Sequence, residues 1–291
     1  MLAYRHAFHA GNHADVLKHL VLAQVLTHMA AKDKAYTLID THAGAGGYSL
    51  EGRYAHTKDE FASGIGALWG RDDLPPALAD YVALVRRFNA GEDGTVALSR
   101  LEQYPGSPAI AKMLMRTTDR LRLYELHPTD QRILESFLGT REHTQVFLRD
   151  GFAALQTELP PPSRRGVVLI DPSYELKGDY PKVVAAVRLA LERFAQGTLL
   201  VWVPQLRTLE SVQLPQRLQA SADKVAPRGW LHARLTVCAP DDKGFGLVGS
   251  SIFVVNPPHG LYDTLHEVLP FLVETLGQYD GANFLLEQHA R

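Results

Sequence analysis

The first long pattern in the chain is helical. Val16, Leu17, Leu20, Val21, Val25, Leu26 and Met29 recur at three- and four-residue spacing and predict a helix from Ala14 to Ala31. A short apolar run from Tyr36 to Ile39 then ends in Asp40 and a glycine-rich turn, Asp40-Thr41-His42-Ala43-Gly44-Ala45-Gly46-Gly47, which reads as strand then loop. Between Gly52 and Met115 the texture changes to helical stretches, such as Pro76 to Phe88, with no clear buried strand. Beyond Met115 the chain alternates. Strands fit Leu121–Glu125, Gln145–Leu148, Val167–Asp171 and Thr198–Val203, with helices at Pro128–Phe137, Phe152–Gln156 and Pro181–Phe194 between them. Such alternation predicts a parallel sheet covered on both faces. Trp230–Cys238 and Leu247–Asn256 flank the polar stretch Asp241-Asp242-Lys243-Gly244, so the sheet is expected to end in an antiparallel hairpin.

Composition narrows the class. The chain has 291 residues, 46% apolar and 21% charged, which fits one large domain or a domain with an insert and excludes disordered, collagenous and coiled-coil readings. Cys238 is the single cysteine, so no internal disulfide can form and a reducing compartment is expected. No apolar run is long enough to span a bilayer and the N-terminus shows no apolar signal region, so a cytoplasmic protein without membrane partners is expected. Thirty basic against 32 acidic residues give a net charge of -2, which excludes coating of nucleic acid by bulk charge. Any nucleic-acid function must rest on particular residues.

In open α/β sheets, ligands bind at the carboxyl ends of the strands near the point where strand order reverses. Gly44 and Gly46 follow the first strand, where glycine lets backbone approach a ligand. The dinucleotide pattern is incomplete, because Ser49 stands where its third glycine would be. The acid that holds a ribose usually lies about twenty residues further on, at the next strand end. Glu125 ends the next strand, 85 residues after Asp40. The surplus of roughly sixty residues matches the helical texture of 52–115, so a helical insert between the first two strands explains both oddities. Glu125 could also be a solvated strand end. Asp150 follows the third strand, where a carboxylate can accept a hydrogen bond from an adenine amine or cap the helix from Phe152.

The buried run Val167–Ile170 leads into Asp171-Pro172-Ser173-Tyr174. Asp-Pro often starts a turn, and that is the simpler reading. A chemical reading also fits. The lone pair of an exocyclic amine on a base is delocalised into the ring. The Asp171 carboxylate and the Pro172 carbonyl could each accept one amine hydrogen and localise that pair, while Tyr174 stacks on the base.

The glycine loop, Glu125, Asp150 and Asp171-Pro172-Ser173-Tyr174 resemble the successive motifs of class I S-adenosylmethionine-dependent amino-methyltransferases. Three more segments narrow the resemblance: Tyr4-Arg5-His6-Ala7-Phe8-His9-Ala10-Gly11-Asn12-His13-Ala14-Asp15-Val16-Leu17-Lys18-His19, then Tyr104-Pro105-Gly106-Ser107-Pro108, then Asn256-Pro257-Pro258. Together they resemble the RlmJ family, which methylates N6 of an adenine in 23S ribosomal RNA. The similarity runs through nearly the whole chain. It implies a Rossmann-like methyltransferase domain over 1–51 and 116–291 with an inserted helical subdomain over 52–115. The same resemblance implies S-adenosylmethionine contacts from His19, His42, Ser107, Glu125, Asp150 and Gly151, with Gly44 and Gly46 in the same loop. It makes Asp171 the acceptor for the target amine, and Tyr4 an RNA contact with His6 and Lys18 nearby. One position departs from the family pattern: Ser173 replaces the second proline of the tetrad, which frees one φ angle and adds a hydroxyl. Activity is expected to survive.

Arg5, Lys18 and Lys177 lie in or beside these motifs and are the candidates for phosphate contacts; Arg164-Arg165, at the opposite sheet end, reads as a solvated pair. His6, His9, His13 and His19 do not have the spacing of a metal site, and no metal is expected. Asn256-Pro257-Pro258-His259 resembles a second catalytic tetrad, but it lacks an aromatic fourth residue and reads as a structural strand end. The expectation is a monomer that uses S-adenosylmethionine on 23S ribosomal RNA, either free of protein or in an early assembly intermediate. The competing expectations are a DNA adenine-N6 methyltransferase and a non-catalytic RNA-binding ribosome-assembly factor.

Overall fold

In the computed structural model, residues 6–51, 59–90, 100–140, 142–241 and 246–291 are described. Ten strands are assigned among them: β1 Thr37–Asp40, β2 Gly47–Ser49, β3 Gln103–Pro105, β4 Arg120–Tyr124, β5 Thr144–Phe147, β6 Gly166–Ile170, β7 Thr198–Gln205, β8 Trp230–Thr236, β9 Gly249–Val255 and β10 Asn283–His289. The α-helices are α1 His13–Ala30, α2 Ile65–Trp69, α3 Pro76–Phe88, α4 Ser107–Leu114, α5 Pro128–Leu138, α6 Gly151–Glu158, α7 Asp179–Arg193, α8 Leu209–Val225 and α9 Leu261–Leu276.

Eight strands form one sheet in the order β10-β8-β9-β7-β6-β1-β4-β5. The pairs from β7 through β6, β1 and β4 to β5 are parallel. The pairs β7–β9, β9–β8 and β8–β10 are antiparallel. The chain runs outward from β1 through β4 to β5, then returns to β6 on the other side of β1. Strand order therefore reverses between β1 and β6, and the carboxyl ends of these two strands bound a crevice. Asp40 ends β1 and Asp171 follows β6, so both acids stand at its lip.

Alternation along the strands divides the apolar residues into two cores. Leu38, Leu121, Leu123, Val167, Leu169 and Leu200 face one way, toward α1, α4, α5 and α9. Ile39, Val168, Ile170, Leu199 and Val201 face the other, toward α6, α7 and α8. Within 52–115, α2 and α3 pack against α1 and α9, and the short β3 pairs with β2 beside the glycine loop. Tyr104 in β3 is fully buried, a strand residue in a stretch whose pattern showed no strand.

The predicted antiparallel hairpin is β8 and β9, but β10 follows it and forms the outer edge. Asn256 ends β9 and is fully buried. Its amide donates to the Ala195 and Gly197 carbonyls and its carbonyl oxygen accepts from Arg228 N–H, the structural strand end that the sequence predicted. Arg165 corrects the reading of a solvated pair. It donates to the Met29 and Lys34 carbonyls, satisfying groups that the end of α1 leaves exposed. No described helix is long and apolar enough to cross a membrane.

Candidate active site

A cavity of about 370 Å³ opens at the crevice. Gly44, Ser107, Glu125, Asp150, Asp171 and Tyr174 all line it, although up to 130 residues separate them in sequence. His6, Lys18, His19, His42 and Pro172 line it too. Tyr4 and Arg5 lie outside the described residues.

The glycine loop is built for the Glu125 carboxylate. Gly44 has φ +62°, a left-handed conformation that side chains resist, and its N–H donates to Glu125 Oε2 at 2.8 Å. His127 N–H donates to Oε1 at 2.7 Å. Burial nevertheless raises the Glu125 pKa, and these two hydrogen bonds only partly offset it. Gly46 is turned to Leu134 and Phe137 on α5 and does not line the cavity. Asp150 Oδ1 caps α6, accepting from Phe152 and Ala153 N–H. Both readings of that residue are compatible, because Oδ2 is left for a ligand. Gly151 serves a close approach: an added Cβ would overlap the Thr41 backbone. We expect Gly151→Ala to separate the first loop from α6, costing about 1–3 kcal/mol of stability and weakening cofactor binding; thermal melts and calorimetry would check both.

The buried walls are mostly neutral. Burial, opposed in part by Asp171 and Asp150, lowers the His42 pKa to about 4, and its ring lies edge-on to Phe152 at 4.8 Å. His19 is 1% exposed, and burial and the Lys18 charge hold it well below the usual histidine range. Its Nδ1 bonds Tyr104 Oη at 2.7 Å, which in turn bonds Tyr81 Oη at 2.6 Å, so β3 and α3 fix the imidazole. Ser107 Oγ donates to Asp40 Oδ2 at 2.6 Å. Burial raises the Asp40 pKa to about 7 against that bond and a second from His42 N–H.

Lys18, expected among the phosphate contacts, is only 4% exposed and is engaged by carboxylates on both sides. Its Nζ lies 2.8 Å from Asp15 Oδ1 and 2.6 Å from Asp171 Oδ2. Burial opposes its charge, but the two carboxylates hold its pKa well above the ordinary lysine value. Asp15 also accepts from Gly11 N–H and lies 2.9 Å from His6 Nε2. Despite burial, His6, Lys18 and His19 pull its pKa well below the carboxylate range. The sequence reading quoted Asp15 within its motif but assigned it no role. Its spacing of three from Lys18 on a helix was the available signal. His9 bonds Glu60 at 2.9 Å and, like His6 and His19, lines the cavity, whereas His13 is buried on α1 and does not.

Tyr174 has φ +54°, a conformation that a bulky residue holds only when its surroundings force it. Its hydroxyl donates to the Trp202 carbonyl at 2.7 Å, and its ring packs on Tyr180 and Trp202, leaving 7% exposed in the cavity wall. Trp202, Pro204 and Leu206 complete that wall, and the sequence reading had not singled them out. Lys177 stands outside the cavity, 83% exposed at its side chain and 3.4 Å from Glu210.

The donor set suits S-adenosylmethionine. A half-buried carboxylate just after β4, Glu125, stands where the fold would place a ribose, a second carboxylate keeps a free oxygen, and the enclosing acids favour a sulfonium. Comparison with known proteins agrees. The family model described as "RsmJ: Ribosomal RNA large subunit methyltransferase D, RlmJ" matches residues 33–285. The chain is 41% identical over 272 residues to "Ribosomal RNA large subunit methyltransferase J" of Escherichia coli (strain K12), covering 94% of this chain and 93% of that one. It is 40% identical over 276 residues to the protein of the same name from Haemophilus influenzae, covering 95% and 94%. Among solved structures, protein LPL1258 from Legionella pneumophila superposes with a TM-score of 0.84 at 29% identity, covering 97% of this chain and 99% of that one.

Proposed function

The chain belongs to the RlmJ family of large-subunit ribosomal RNA methyltransferases, and from that premise we propose that it methylates the exocyclic N6 of an adenine in 23S ribosomal RNA, with S-adenosylmethionine as the donor. The observation that carries the reading is the convergence of Asp171, Pro172 and Tyr174 with Gly44, Glu125 and Asp150 on one cavity.

Glu125 would hold the ribose hydroxyls, and Asp150 Oδ2 the adenine amine. His19, His42 and Ser107 line the remaining cofactor wall. When bound, S-adenosylmethionine supplies an electrophilic methyl on a sulfonium. The protein's share is to deliver the nucleophile. Asp171 and the Pro172 carbonyl accept the two amine hydrogens, drawing the nitrogen toward tetrahedral geometry and freeing its lone pair. Lys18 Nζ, 2.6 Å from Asp171 Oδ2, holds that carboxylate in place at the cavity. The turn that strains Tyr174 sets its ring as one wall of the base pocket. The base must leave its helix to enter, because a paired amine is already occupied. Rate enhancement then comes from position and preorganised charge.

We expect Glu125→Ala to weaken S-adenosylmethionine binding about 10- to 100-fold, the value of a hydrogen-bonded charged group, as titration calorimetry would measure. The working unit of this proposal is a cytoplasmic monomer acting on protein-free 23S ribosomal RNA. The decisive experiment is mass spectrometry of ribosomal RNA from cells lacking the gene. One N6-methyladenosine should be missing and should return with the wild-type gene. Transfer to duplex DNA but not to ribosomal RNA would overturn the substrate assignment. RNA binding without transfer would favour an assembly factor.

A further inference from the structure

The first cavity has an acidic mouth. Lys18 and Lys182 line it, paired with Asp171 and Asp179, but Asp130, Asp150 and Glu175 line it as well, an excess of negative charge that suits a sulfonium and disfavours a polynucleotide backbone. The phosphates beside a bound base must therefore be held elsewhere. A second cavity, of about 420 Å³, lies next to the first and shares Pro204 and Leu206 with it. It sits where the ends of β7 and β8 and the start of β9 meet the first turns of α8. Arg207, His232, Arg234, Asn283 and Tyr279 line it, and no carboxylate does among the described residues.

Two of its nitrogens have no hydrogen-bond partner among the described residues. Arg234 Nε is buried without an acceptor, and its guanidinium makes no ion pair with any described carboxylate. His232 is 4% exposed, and its Nε2 is buried and unbonded. Glu287 approaches His232 Nδ1 only to 3.9 Å, too far for a hydrogen bond. Native proteins rarely leave such groups unsatisfied, and both lie on side chains that line the cavity, where a ligand oxygen would meet them. Burial and the neighbouring Arg234 lower the His232 pKa to about 4, so near neutrality the ring offers a hydrogen bond without charge.

We propose that this second cavity is a phosphate subsite, in which Arg234 and His232, with Arg207 at the rim, hold a phosphodiester of the RNA strand next to the target nucleotide. The proposal rests on RNA being the substrate. It explains how a chain of net charge -2 holds a polyanion: Arg207 and Arg234 stand beside the reaction cavity with no carboxylate in the lining among the described residues.

The test compares wild type with Arg234→Gln, Arg234→Lys and Arg207→Gln on a fragment of 23S ribosomal RNA that wild type methylates. Arg234→Gln should raise KM for RNA about tenfold, leave kcat and S-adenosylmethionine affinity unchanged, and reduce the salt slope of RNA binding by about 1. Arg234→Lys should keep the slope. The exposed Arg207→Gln, which cannot disturb the core, should lose part of it. Wild-type KM and salt slope in both glutamine variants would overturn the subsite alone. Wild-type protein that binds S-adenosylmethionine but neither binds nor methylates RNA would overturn the substrate reading and the subsite with it.

Discussion

Asp171→Ala should lower methyl transfer to RNA by about three orders of magnitude at saturating cofactor, the scale of losing one preorganised group at a transition state. The variant loses an acceptor for the target amine and the partner that Lys18 Nζ meets at 2.6 Å. Lys18 still has Asp15 at 2.8 Å, so its charge stays compensated and the fold survives. Cofactor affinity should hold within a few-fold, because Glu125 and Asp150 are untouched. Asp171→Asn keeps one acceptor oxygen and the side-chain shape, and should fall between the two. Single-turnover transfer of a labelled methyl group, with calorimetric cofactor binding in parallel, gives both numbers. An alanine variant that transfers within tenfold of wild type would remove Asp171 from the chemistry.

Stability should fall on mild acidification, from pH 7 to pH 5. His13 and His232 are 7% and 4% exposed, and burial lowers each pKa to about 4. In the unfolded chain each titrates near 6.5. Between these values the unfolded state binds protons that the folded state refuses, so stability decreases as pH falls from 6.5 toward 4. At pH 5 this amounts to about 2 kcal/mol for each histidine. His19 acts in the same direction. Asp40 opposes them. Its pKa is raised to about 7, so its contribution is present at low pH and lost as pH rises from 3.8 through 7. It returns about 2 kcal/mol between pH 7 and pH 5. The histidines win. Melting temperature should drop from pH 7 to pH 5, and Asp40→Asn should steepen the drop by removing the counterweight. A flat profile across that interval would contradict the buried, neutral state of these rings.

The sequence exposed those parts whose pattern is local. The long apolar stripe marked α1, and continuous apolar runs marked β1, β6 and β7 with boundaries off by one or two residues. The surplus of residues after Asp40 pointed past an insertion to Glu125, which does follow the next strand of the main sheet, β4, and line the cavity. Elements without a local signature were missed. β10 is largely exposed and shows no apolar alternation, as befits an edge. α8 and α9 carry Pro215 and Pro270 inside them, which interrupts a helical reading. β2 and β3 have three residues each and exist only because 47–49 meets 103–105. Lys18 shows the same limit at the site. Its helix position was legible, but its burial depends on Asp171, 153 positions away. The second cavity was invisible for the same reason, since His232 and Arg234 read as ordinary alternating positions of a strand.

The line of rings from Tyr81 through Tyr104 to His19 joins three stretches of chain end to end. Each member satisfies the next, so none can turn without stranding its neighbour in a dry interior. β3 and α3 are thereby tied to α1 at the wall of the first cavity. A chain shortened between residues 76 and 105 would remove two of the three rings and strand the His19 imidazole at the cavity wall, with the eight-stranded sheet left whole.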